Sequence, residues 1–316
     1  MSRTKRARLT ELTSVCLGLL LLSAGAAQLA RARMTPLSNA ASSPRAPRVV
    51  DTVDADDPDQ MNPVDSANLR VLMVGNSYTF HHALHTLLQQ VARGVAGGPR
   101  LLVDTEARGG YSLRAHLRSG QALAKIRHGH YSHVVLQGHS MSALNHPDEL
   151  AADAQRFKQA IDQTTGRTVF YATWARSPEA RLYRTHKVVH SFEEMTDLVD
   201  STYATISHRL GAGLAPVGRA FERSLIQNPK LALWDPDGSH PTLAGSFMAA
   251  CVLYGAITGA DPRASTAVPE GLTNGQASLL RSVAAQALSD DSMPQPNVAT
   301  APAPVRVGAL GVMHIN

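Results

Sequence analysis

Residues 70–79 read RVLMVGNSYT, an apolar run that ends on a glycine and passes almost at once into a segment of helical period. A short apolar run bounded by a glycine fits a strand buried on both faces. Beyond it, Phe80, Leu84, Leu87, Leu88, Val91 and Val95 recur on one helical face. The alternation then repeats. Residues 101–105, 133–137 and 168–172 form further apolar runs, with a weaker fifth at 214–217. Between them, Leu150, Ala154, Phe157 and Ile161 share one helical stripe, and Phe192, Met195, Val199, Tyr203 and Ile206 share another. Strands that alternate with amphipathic helices predict an α/β domain, a doubly wound parallel sheet covered by helices on both faces. Chemistry in such a fold is expected just past the carboxyl ends of the strands.

Two segments carry groups suited to that edge. Gly75, Asn76 and Ser77 follow the first strand and open a helix, so the Ser77 hydroxyl can stand at the sheet edge beside free backbone N–H groups. From this segment alone an N-capping serine reads the same way. Near the far end of the domain, residues 234–242 read WDPDGSHPT and lead into an almost uniformly apolar stretch, 243–257, which has to be buried. A histidine at that point, His240, with Asp237 three residues earlier, can be oriented by the carboxylate and accept a proton from a hydroxyl. In isolation Asp237 and Ser239 also suit a plain surface turn.

The chain has 316 residues, of which 44% are hydrophobic, enough for one sizeable core. Its formal charge of +5 is concentrated at Arg3, Lys5, Arg6 and Arg8; without residues 1–26 it falls to about +2. With no basic cluster in the body of the chain, nucleic acid is not an expected partner. The basic start is followed by an apolar run at 15–26, VCLGLLLLSAGA, and small residues at Ala24 and Ala26. Residues 1–30 therefore read as an export signal, too short in its apolar part for the roughly 20 residues of a membrane span. A membrane association is expected only if this segment stays uncleaved as an anchor. After cleavage Cys251 is the single cysteine, which rules out an internal disulfide. Residues 31–68 and 291–316 are Pro-, Ser- and Ala-rich and read as a flexible linker and a mostly disordered tail around a catalytic domain at 69–290.

These residues resemble the SGNH or GDSL hydrolases. The GNS at 75–77 is similar to that family's nucleophile block, the pair Gly109 and Gly110 after the second strand to its glycine block, and the DGSHP at 237–241 to its closing D-x-x-H block. The order holds over roughly residues 68–259. The third block departs: most of the family carries an asparagine after the third strand, whereas residues 136–140 here read LQGHS. That run resembles the QGES-type block of carbohydrate acetylesterase branches, in which a glutamine amide takes the asparagine's place.

The resemblance implies a flavodoxin-like, three-layer α/β/α sandwich with a five-stranded, mostly parallel sheet. It also implies a serine esterase with Ser77 as nucleophile, His240 as base and Asp237 as its orienting acid. The N–H groups of Ser77 and Gly110 and the Gln137 amide would form the oxyanion hole; for Gln137 a strand-end glutamine bonded to backbone is the competing reading. Acetyl or other short acyl esters, including those of carbohydrate, are the expected substrates. An acyltransferase using the same triad, passing the acyl group to a glycan, and a binding module with a decayed site are the alternatives; oligomeric state is left open. No metal or cofactor is expected, since the histidines of HGHYSH at 128–133 have no carboxylate or thiol close in sequence. His139 and Trp174, each just past a strand, and His81 of the pair that follows the nucleophile, are candidate substrate contacts. For Trp174 a place in the core is the competing reading, and at least one of His81 and His82 is expected on a solvated helix face.

Overall fold

The computed structural model of the chain describes residues 68–290. The expected export signal, nearly all of the expected linker and the C-terminal tail lie outside the described residues. Five strands are present: β1 (Asn68–Gly75), β2 (Arg100–Ala107), β3 (His133–Leu136), β4 (Arg167–Ala172) and β5 (Gly213–Pro216). All neighbouring pairs are parallel, and the strand order is β2-β1-β3-β4-β5. This is the flavodoxin-like doubly wound order, and the chain reverses its direction of travel across the sheet between β1 and β3.

The layering follows from the period of two along each strand. Val71 and Met73 of β1 face one core, and Leu72 and Val74 face the other, all four with no exposed surface. The first core is closed by α2 (Leu84–Arg93), α8 (Val217–Gln227), α9 (Leu243–Thr258) and α10 (Asn274–Leu288). The second is closed by α3 (Leu113–Ser119), α4 (Gln121–His128), α6 (Pro147–Ile161) and α7 (Phe192–Leu210). Short α1 (Ser77–Phe80) and α5 (Ser142–Asn145) sit at strand ends.

Two of the three expected helical stripes are unbroken and buried, Leu150, Ala154, Phe157 and Ile161 on α6 and Phe192, Met195, Val199, Tyr203 and Ile206 on α7. The 243–257 stretch is α9, apolar on every side because it is enclosed between α2, α10 and the sheet. Among the described residues no helix is long and apolar enough to cross a membrane.

One expected helix is interrupted. The stripe that begins at Phe80 predicts one continuous helix, but His82 and Ala83 have φ of +48° and +49°, so α2 starts only at Leu84 and Phe80 is 43% exposed. Periodicity registers spacing, not a left-handed break between two helical turns. Another helix, α10, lacks a strong apolar stripe in sequence. Its start is set by a capping box between Thr273 and Gln276, and its small residues Ala277, Ala284 and Ala287 pack it closely against α9.

Candidate active site

The β1 chain emerges at the carboxyl edge through Gly75, where a Cβ would collide with the side chains of Thr79 and Gln137. Asn76 caps α1: its side-chain oxygen accepts from the Tyr78 N–H at 3.1 Å, and its Nδ2 donates to the Tyr111 carbonyl at 3.1 Å. That second bond ties the Ser77 turn to the loop after β2. There the Tyr111 N–H donates to the Arg108 carbonyl at 3.1 Å, and Gly110, at φ +70°, occupies a left-handed position that glycine takes without strain.

Opposite stands a small loop built around Asp237. An isolated bridge pairs Trp234 with Pro241, and the Asp235 N–H donates to the His240 carbonyl at 2.8 Å. Asp237 Oδ1 accepts from the N–H groups of Ser239 (2.8 Å) and His240 (2.9 Å). Its Oδ2 accepts from His240 Nδ1 at 2.5 Å. Burial alone would raise the Asp237 pKa; the bonds from the His240 ring and from the two backbone N–H groups outweigh it and hold the carboxyl down to about 2. With Nδ1 donating to the carboxylate, Nε2 is left as the acceptor and faces Ser77 Oγ at 2.9 Å. Three groups drawn from opposite ends of the domain thus form one continuous hydrogen-bonded line.

Gln137 does not occupy the place expected of it. Its side chain is fully buried, Oε1 accepts from the Asn76 N–H at 2.8 Å and from Thr79 Oγ1 at 2.9 Å, and Nε2 donates to the Gly138 carbonyl. A backbone N–H can only donate, which fixes the amide with its oxygen toward Asn76. One amide N–H is spent on the Gly138 carbonyl and the side chain has no exposed surface, so Gln137 clamps the Ser77 turn from beneath.

Trp174 is corrected in the same way. It is 1% exposed, stacked between Tyr78 (4.6 Å between ring centroids) and Phe221 (4.4 Å), and its Nε1 donates to the Ser239 carbonyl at 3.0 Å. Instead of offering a platform to substrate, it supports the Asp237–His240 loop from the core.

His139 is half-buried, accepts from the Met141 N–H at 3.3 Å, and is pushed toward its neutral form first by burial and then by Arg176. It lines a cleft of about 220 Å³ together with Gly110, Ser112, Arg114, His146 and Glu149. His81 stacks on His240 with ring centroids 4.5 Å apart, its pKa lowered by burial and then by His240. The HGHYSH histidines lie away from this edge. His133 opens β3 and is held down to about 4 by burial and by Arg167.

Two further residues at the site, Tyr78 and Arg176, are not marked by any pattern in the sequence. The Tyr78 hydroxyl lies 2.8 Å from Ser239 Oγ and receives a bond from Arg176 Nη1, while Arg176 Nη2 donates to Ser140 Oγ at 3.1 Å. Arg176 thereby joins α1 to the QGHS segment. Only the tyrosine's position next to Ser77 could have drawn attention to it.

The architecture of sheet and flanking helices is shared with solved structures. A candidate SGNH hydrolase from Slackia heliotrinireducens is similar over 60% of this chain and 99% of its own, at 26% identity and a TM-score of 0.52. The fold is that of an SGNH hydrolase. A DUF4886-family protein from Bacteroides uniformis shares this SGNH-type fold over 70% of this chain and 95% of its own, at 16% identity and a TM-score of 0.60. No family model matches the sequence, and no curated protein does.

Proposed function

We propose that this SGNH-type protein is an exported serine esterase that cleaves short acyl esters through an acyl-enzyme. The hydrogen-bonded line from Asp237 through His240 to Ser77 carries the reading. In it the serine proton has an acceptor already in place, and the imidazolium that forms has a carboxylate behind it.

Ser77 Oγ attacks the ester carbonyl as His240 Nε2 takes its proton. The negative charge on the former carbonyl oxygen faces the N–H groups of Ser77, at the start of α1, and of Gly110, in the turn after β2. Collapse of the tetrahedral species breaks the bond to the leaving alkoxide, which receives the proton from His240. Water then attacks the acyl-serine with His240 again as base, and the acid departs as the Ser77 hydroxyl is restored. Asp237 keeps the imidazole in one tautomer throughout and stays ionised.

The cleft beside Gly110 is small, which supports a short acyl group. Export rests on the basic and apolar segments of residues 1–26. Release of nitrophenolate from an activated acetyl ester, with an initial burst of about one equivalent per chain, is the expected result. A well-folded protein that releases none across acetyl, butyryl and longer aryl esters overturns the reading.

A further inference from the structure

Consecutive residues on a regular helix point about 100° apart and do not share a target. After His81 the helix is broken by the left-handed conformations of His82 and Ala83, and the rings of His81 and His82 come within 5.6 Å of each other. Non-glycine residues adopt such φ values at a cost that surrounding structure has to offset, and such residues cluster at functional sites. Asp235, from the acid–base loop, approaches the same point. One ligand atom from each of His81, His82 and Asp235 lies within 4.8 Å of the others. Among the described residues, neither imidazole and not the Asp235 carboxylate is engaged by a hydrogen bond or an ion pair. Two imidazoles and a carboxylate held close without bonding one another leave room for an ion between them.

We propose that His81, His82 and Asp235 form a binding site for a divalent transition-metal ion of the zinc class, and that filling it inhibits the adjacent esterase centre. Two imidazole nitrogens and one carboxylate oxygen are a donor set that zinc accepts, with water completing the tetrahedron. Metal–ligand bonds of about 2.0–2.2 Å place tetrahedral ligands roughly 3.5 Å apart, so the exposed His82 side chain has only about 1 Å to close.

The inhibitory part rests on the proposed esterase. The His81 ring lies on the His240 ring at 4.5 Å, tilted by 27°. An ion on His81 therefore sets a double positive charge next to the ring that becomes positive as Ser77 attacks. Repulsion over that distance slows turnover by about tenfold or more, even with strong solvent screening.

The test uses the full chain, stripped of metal by chelator, titrated with zinc chloride by calorimetry and with cobalt chloride by visible absorption. Neither reading needs turnover. One ion per chain with tetrahedral cobalt bands is expected. His82→Asn, chosen because asparagine tolerates left-handed φ, and Asp235→Asn should each weaken binding at least about tenfold. Hydrolysis of an activated acetyl ester should fall on zinc saturation, return with chelator, and persist in His82→Asn at zinc concentrations that silence the wild type.

Absence of binding to the wild-type chain, or binding unchanged in both variants, overturns the site. Zinc bound there with turnover unaffected overturns the inhibition. Ser77→Ala should bind zinc as the wild type does. Zinc binding that needs His82 and Asp235 in a chain that hydrolyses no ester therefore upholds the site and counts against the esterase alone.

Discussion

The two halves of the site are held in opposite ways. The nucleophile turn is locked from within: Asn76 is buried at 3% exposure, Thr79 and Gln137 are fully buried, and the bonds that hold it join residues 58 and 61 positions apart. The acid–base loop is held locally and in the open. Asp237 is bonded by residues two and three places along the chain, and its side chain is half exposed. A side chain in the first half answers mainly to the fold and one in the second mainly to its neighbours, so mutations in the two halves should separate stability from turnover.

The largest effect is expected where the halves meet. Ser77→Ala and His240→Ala should each lower ester turnover by about 10⁴-fold or more, because removing either group of a triad forfeits most of its catalysis. Neither change touches the buried clamp, so melting temperature should stay within a degree or two of wild type, on the order of surface substitutions. Wild-type-like turnover in folded Ser77→Ala would break the scheme.

Gln137→Ala should act on the other half. It removes the acceptor of the Asn76 N–H and of Thr79 Oγ1 and leaves both buried, at a cost of about 2–4 kcal/mol. Thermal unfolding should register that loss, while kcat per folded molecule falls by less than about tenfold. A fall of about 100- to 1,000-fold at unchanged stability is what an oxyanion donor would show, and it would erase the contrast between the two halves.

His133 gives a reference outside both. Burial holds it down to about 4 in the folded protein, against an ordinary value of 6.5. Between those values the unfolded chain binds the proton and the folded one does not, so stability is full above pH 6.5 and drops as pH falls toward 4. The loss approaches about 3 kcal/mol at its limit. His133→Phe should flatten that part of the stability profile and leave ester hydrolysis near neutral pH alone. An unchanged slope would show that His133 does not carry it.

The smallest effect is expected at Trp174→Phe, which keeps a stacked ring but deletes the bond to the Ser239 carbonyl, worth about 1 kcal/mol. Since this bond links the core to the acid–base loop, a modest loss of stability should come with a slight loss of kcat. A large rise in KM with stability intact would restore Trp174 as a substrate contact.

The same contrast explains what could be read before the fold was known. The sheet was legible because β1, β3 and β4 are buried on both faces and so are written as unbroken apolar runs. The DGSHP run was legible because Asp237 orients His240 across a single turn, which places both partners in one short word. Ser77 could be proposed from its place after a strand, but its meeting with His240 across 163 positions belongs to the tertiary structure.

Gln137 and Trp174 were misplaced because both stand just past a strand end, and sequence cannot tell a side chain turned inward from one turned toward the edge. Their direction depends on which distant groups need partners: the Asn76 N–H for one, the Ser239 carbonyl for the other. The left-handed break at His82 was likewise invisible, since nothing in HHAL marks positive φ. By itself, then, the sequence determined the strands, the main helices and the local Asp237–His240 pair, because these depend on period and on neighbours within a turn. Only the tertiary structure decided the order of the sheet, the contact between Ser77 and His240 and the inward turn of Gln137, because long-range packing and the pairing of buried polar groups are satisfied between segments far apart in the chain.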